Sequence, residues 1–228
     1  MFQLINNILH EFRKNFKRIK TWKWIVVLIL GFIVRSKHQG ITSIISSLRL
    51  KPRLYHTMLH FFRSRAYTVE SLYDKWVKTA VKQAELIRIR GRLLVLGDHT
   101  KASKEGLRMP GIQILHQDSQ NSGKAKYISG HNYGQVSALI TNGKVSRSLP
   151  LMTEFQESLP KTDKFGVSLV VAMVNLVAKT AKSAGEPVIA ALDAYFSTGT
   201  AWEAIEKTIT NITVVNGEKL LWTPPVTT

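Results

Sequence analysis

The sequence contains no cysteine, and that absence excludes disulfide bridges, thiolate catalysis, cysteine-ligated zinc and iron–sulfur clusters together. It suits a reducing compartment, so a cytoplasmic location is expected. Acid is scarce too: 15 Asp and Glu stand against 32 Lys and Arg in 228 residues, a formal net charge of +17. No apolar run reaches membrane-spanning length. Residues 24–34 are continuously apolar, but they number 11 and lie between Lys23 and Arg35. A spanning helix needs about 20 residues, so this stretch reads as a buried core helix and a membrane is not the expected partner. No small-residue cleavage site follows it, which argues against a secretory signal.

What is present is an ordinary globular composition, 44% hydrophobic, long enough to bury a sizeable core. The basic charge is unevenly placed. Residues 1–90 hold 18 Lys and Arg and 4 Asp and Glu, whereas residues 91–228 hold 14 and 11. A basic N-terminal part of this strength points to a polyanion, with nucleic acid ahead of an anionic membrane surface. A merely solvated basic surface is the plain alternative.

Helical periodicity dominates the first third. Phe2, Ile5, Ile8, Leu9, Phe12, Phe16 and Ile19 share one helical face over residues 2–19. A short helix is expected at residues 42–48, entered through hydroxyl caps. Pro52 opens another helix through Phe62, and an amphipathic helix is expected over residues 69–90. From Gly91 the pattern changes. Buried strands are expected at residues 93–96 and 188–192, further strands at 113–115, 133–140 and 212–215, and helices at 167–181 and 201–208. Residues 100–130, rich in Lys, Ser, Gly, Gln and Asn, read mainly as a long surface loop. The expected domains are a helical DNA-binding module at 1–90 and a mixed α/β core at 91–228.

Two carboxylates stand in the same local setting. Asp98 follows Leu93-Leu94-Val95-Leu96-Gly97, and Asp193 follows Val188-Ile189-Ala190-Ala191-Leu192. If the two strands are neighbours, the carboxylates lie side by side and repel, and a hard divalent cation such as Mg²⁺ or Mn²⁺ relieves the repulsion. An Asp after a strand is also a common turn residue or cap. Other candidates are weaker. His56 and His60 have helical metal-ligand spacing, but Thr57 stands where a metalloprotease needs Glu. His99, His116 and His131 lie in the expected sheet region; His131 can serve the site, though an ordinary surface histidine is the commoner reading. Residues 121–124, Asn-Ser-Gly-Lys, echo a phosphate loop without its earlier glycine.

Three blocks together carry a resemblance: Leu96-Gly97-Asp98-His99-Thr100-Lys101, Gly130-His131-Asn132-Tyr133-Gly134 and Ala191-Leu192-Asp193-Ala194-Tyr195-Phe196. In this order they resemble bacterial insertion-sequence transposases with an Asp-Asp-Glu triad, and residues 40–64 are similar to the N-terminal region of that family. The resemblance implies an RNase H-like core with Asp98 on its first strand and Asp193 at its fourth. It also implies catalysis and binding of paired Mg²⁺ or Mn²⁺ ions by those two residues, transposition of double-stranded DNA, and self-association in a synaptic complex on element ends. No small-molecule substrate is implied. Lys51, Arg53, Arg63 and Arg65 are the candidate DNA contacts.

The same resemblance calls for a catalytic Glu well beyond the second Asp. Glu203 and Glu206 come too early, and Glu218 falls in an expected turn. The chain is therefore expected to be a C-terminally truncated, inactive form of such a transposase. Two other classes stay open: a non-catalytic DNA-binding remnant, and a basic membrane-associated protein.

Overall fold

A computed structural model describes residues 2–35, 40–104, 106, 109–116, 125–156, 168–196, 198–208, 212–216 and 219–220. The chain forms two compact units, Met1–Lys75 and Trp76–Thr228. The boundary falls earlier than the residue 90 expected from composition. Residues 85–87 explain the difference: they add backbone hydrogen bonds to the sheet, Ile87 N–H to Leu139 O at 2.8 Å and Thr141 N–H to Glu85 O at 3.3 Å.

The first unit is all-helical: α1 (Phe2–Glu11), a 3₁₀ turn (Phe12–Asn15), α2 (Ile19–Val34), α3 (Gly40–Ser47), α4 (Leu54–Phe62) and the start of α5 (Val69–Gln83). The single helix expected over residues 2–19 is broken at Phe16, which is extended (φ −111°, ψ 120°). Its ring packs 5.2 Å from Tyr67 in a core shared with Leu28, Ile44, Met58 and Phe61. Lys17 N–H donates to Ala66 O at 2.9 Å and holds the break. Burial of one aromatic ring thus outweighs continued helix. In α3 the hydroxyl of Ser43 donates back to Gly40 O at 2.8 Å, so it lies inside the helix and is not a cap. Only Leu28 and Gly31 of α2 are buried, while Phe32, Ile33 and Val34 are exposed, so the apolar stretch is a core helix along one stripe alone.

Gly31 is required by packing. A Cβ there would stand 2.2 Å from Cγ2 of the fully buried, stiff Ile44. Gly-to-Ala changes inside helices normally gain about 1 kcal/mol. Here the expected result is a loss of about 1–3 kcal/mol from overpacking between α2 and α3. Chemical denaturation of Gly31→Ala checks this, and a gain in stability contradicts the close approach.

The second unit is a mixed sheet: β1 (Arg88–Ile89), β2 (Arg92–Ser103), β3 (Gln113–His116), β4 (Tyr127–Thr141), β5 (Ser146–Phe155), then α6 (Leu169–Ala184), β6 (Val188–Leu192), α7 (Gly199–Thr208), β7 (Ile212–Asn216) and β8 (Lys219–Leu220). The helix expected to reach residue 90 stops at Gln83. Arg90 and Gly91 both have positive φ (51° and 75°) and close a two-residue hairpin between β1 and β2, as a type I′ turn requires. Arg88 forks onto Glu186 at 3.0 and 2.8 Å beside β6.

The five main strands lie in the order β5-β4-β2-β6-β7, antiparallel across the first three and parallel across the last three. The sheet is thus mixed, one half antiparallel and the other parallel. β3, at the strand expected over residues 113–115, pairs with the first residues of β4 (Tyr127–Gly130), which extends earlier than the expected residue 133. β5 gave no strand signal because Pro150 interrupts it. A sheet edge tolerates that residue, and the register slips beside it, with Val136 opposite Met152 and Ser137 opposite Pro150. Helix α6 is capped by Ser168, whose Oγ accepts from Val171 N–H, and ends at Gly185 in the left-handed region. Its buried stripe, including Met173, Val174 and Leu176, packs on β2, β4 and β5. No helix among the described residues is long and apolar enough to cross a membrane.

Candidate functional site

Alternation along β2 decides what faces what. Leu93, Val95 and Gly97 are buried, and from Asp98 onward the strand is mostly exposed. Gly97 does not end the strand as expected. It lies inside β2 because a Cβ would meet Leu192 Cδ2 at 2.5 Å and Met173 Sδ at 3.1 Å. The parallel pairing of β2 with β6 ends at Gly97 opposite Leu192. Asp98 and Asp193 each come one residue later, on strands about 4.8 Å apart. The neighbouring strands that the sequence argument required are therefore present.

Each carboxylate has one oxygen engaged by backbone. Asp98 Oδ1 accepts from His99 N–H at 2.7 Å, and Asp193 Oδ1 accepts from Tyr195 N–H at 2.7 Å. Asp193 thus opens the short 3₁₀ turn Ala194–Phe196, and its plain capping role coexists with its place at the site. Both side chains line a cleft of about 300 Å³, together with His99, Lys101, Leu115, Asn132, Leu169, Tyr195 and Phe196. Lys101 Nζ donates to His116 O at 2.6 Å across the strand ends.

His99 is held in this cleft by contacts at 2.5 Å between Nε2 and Gln156 Oε1 and by the Phe196 ring at 5.1 Å. Burial is the main influence on the imidazole and pulls its pKa below the usual 6.5; the Gln156 bond and the charges of Asp98 and Asp193 oppose it. Because the unfolded chain takes up that proton more readily, His99 lowers stability as pH falls below the ordinary imidazole range. The expected result is that His99→Gln loses less stability than the parent between pH 7.5 and 5.5, as read by thermal unfolding. An identical acid loss in both proteins contradicts the burial.

The structure separates His131 from the site. It does not line the cleft: Nε2 lies on Pro110 O at 3.0 Å and the ring 4.9 Å from Phe155. The next residue, Asn132, is the one that lines the cleft. No motif in the sequence marks Asn132 or Gln156 as a site residue. One signal was available for Asn132: it shares its strand face with Gly134, Val136 and Ala138, and a polar residue on a buried face needs a reason.

Lys51, Arg53, Arg63 and Arg65 are all exposed. They flank the two ends of nine-residue α4, so the pairs are about 13 Å apart. His56 and His60 are exposed on the same helix. Among the described residues no group of three His, Asp or Glu could hold a metal ion. Glu203 is exposed on α7, and residues 121–124 and Glu218 lie outside the described residues.

No protein-family model matches the chain, and no curated protein does. Among solved structures, the chain is similar to a piggyBac transposase in a synaptic complex with hairpin DNA, at 12% identity and a TM-score of 0.36. The match covers 93% of this chain, which spans 40% of the length of that one. A likeness this faint carries no weight for fold or function.

Proposed function

We propose that the chain is a transposase-type DNA-binding protein whose RNase H-like unit carries the two-aspartate part of a phosphodiester-processing site. The observation that carries this reading is the pairing of β2 with β6, which brings Asp98 and Asp193 to neighbouring positions at the rim of one cleft. Support comes also from the excess of positive charge in the helical part, which suits the backbone of double-stranded DNA, here the ends of an insertion element.

The donor set fits a divalent cation. Asp98 and Asp193 are both exposed, each with one oxygen on a backbone N–H, and their like charges favour a cation between them. Mg²⁺ or Mn²⁺ held there would supply Lewis-acid activation of the attacking oxygen and stabilisation of the leaving one. The chain's own part is to fix the two carboxylates on rigid strands and to present a polar, ring-walled cleft beside them.

Calorimetric titration with Mn²⁺ tests the reading. Weak binding by the parent is expected to vanish in both Asp98→Asn and Asp193→Asn. Unchanged binding in the two folded variants would leave the carboxylates with capping roles only. A second reading, DNA binding without cleavage, is favoured by the lack of a third ligating acid among the described residues.

A further inference from the structure

Two non-glycine residues among those described have a left-handed backbone, and both are arginines: Arg49 and Arg90, each at φ 51°. That region crowds the Cβ of an L residue, and Asn, Asp and His are the side chains enriched there. Arg49 follows α3 in the place a glycine usually takes. Its N–H donates to Ser46 O at 3.1 Å and Leu50 N–H donates to Ile45 O at 2.9 Å, the paired bonds that close a helix through one left-handed residue. Arg90 precedes Gly91 in the β1–β2 hairpin, where Asn, Asp or a second glycine is the common choice. Both arginines are exposed, and neither has an ion-pair partner among the described residues.

The fold does not ask for arginine at either turn. The dipole of α3 favours a cation at its end, but no helix ends at Arg90. A Cβ added at Gly91 would meet nothing within 4 Å, so the hairpin tip stands clear of the protein. Each turn also carries three cations at alternate positions: Arg49, Lys51 and Arg53 in one, Arg88, Arg90 and Arg92 in the other. Glu186 already neutralises Arg88, which leaves Arg90 as the open charge at the tip. A guanidinium held on a strained, open turn is placed for a ligand outside the chain, and its planar fork matches a phosphate. We propose that Arg49 and Arg90 contact phosphates of duplex DNA, one from the helical unit and one from the sheet unit. This rests on the reading of the protein as DNA-binding and extends it. Composition groups Arg90 with the basic residues 1–90, whereas the structure puts it on the sheet unit. Six residues of β2, about 20 Å, separate Arg92 from Asp98, so the hairpin is a contact site apart from the carboxylate cleft.

Anisotropy titrations of the full chain on duplex DNA at several salt concentrations test it, with EDTA present and thermal unfolding measured alongside. Arg49→Gly and Arg90→Gly each remove a charge and the backbone strain together. Each is expected to unfold no lower than the parent, yet to lower the slope of log affinity against log salt by about 0.9, the value of one phosphate contact. Arg49→Lys and Arg90→Lys keep the charge and are expected to keep the parent slope. Lys144→Ala removes an exposed charge from the β4–β5 turn and is expected to leave the slope unchanged. A parent slope in the two glycine variants would overturn the proposal. An equal loss in Lys144→Ala would overturn it too, by reducing the effect to net charge, and so would glycine variants that unfold well below the parent, since the arginines would then serve the fold. The failures are separable: a parent without salt-sensitive DNA binding removes the DNA reading itself, whereas a steep parent slope that the variants keep removes only the two arginines.

Discussion

Duplex DNA incubated with this chain and Mn²⁺ is expected to stay unnicked. The cleft brings two carboxylates together, and the described residues supply no third acid or histidine cluster that could complete a metal site. In-line phosphoryl transfer depends almost wholly on positioning and charge stabilisation. A missing ligand loosens both, and a loss of about 4 kcal/mol of transition-state stabilisation is roughly a 10³-fold lower rate. Gel analysis of supercoiled plasmid reads the nicks with high sensitivity. Mn²⁺-dependent nicking that disappears in Asp98→Asn would show that another acid completes the site, and Glu218 would be the first to replace.

The second large effect is the response of DNA affinity to salt. With Lys and Arg outnumbering acids 18 to 4 over residues 1–90, binding is expected to be dominated by counterion release. For 6–10 phosphate contacts, affinity falls about 10³–10⁵-fold between 50 and 200 mM salt. Replacing Lys51, Arg53, Arg63 and Arg65 together by Ala is expected to lower the slope of log affinity against log salt by up to about 3.6, since each lost contact removes about 0.9. All four are exposed, so the fold should tolerate the change. Anisotropy titrations at several salt concentrations measure it. An unchanged slope would move the DNA contacts to other basic residues, such as Arg13, Lys14, Lys17 and Arg18 on the N-terminal segment.

Much of this molecule was legible in its residues. Periodicity located the helices from α3 to α7 to within a few residues, apart from the overlong α5, because each has one apolar stripe and most have a clear stop signal, such as Gly185 after α6. Short apolar runs between glycines and acids located β6 and the start of β2. The two aspartates stood out because each follows such a run. These features depend on neighbours in the chain, and local sequence carries them.

Tertiary structure alone decided the rest. Residues 2–19 keep an unbroken helical pattern, yet Phe16 leaves the helix to pack with Phe61 and Tyr67, contacts made some fifty residues away. Strand β5 was hidden by Pro150, which a sheet edge with a register slip accepts and an isolated sequence cannot reveal. Sequence could state that Asp98 and Asp193 would meet only if their strands paired; the parallel ladder between β2 and β6 supplied that condition. His131 and Asn132 are adjacent in the chain, and the histidine drew attention by its chemistry. The cleft takes neighbouring residues of β2 from both pleat faces, Asp98 and His99 alike, so alternation alone does not choose its lining. The imidazole of His131 is held on Pro110 O away from the cleft, and the buried Asn132 lines it.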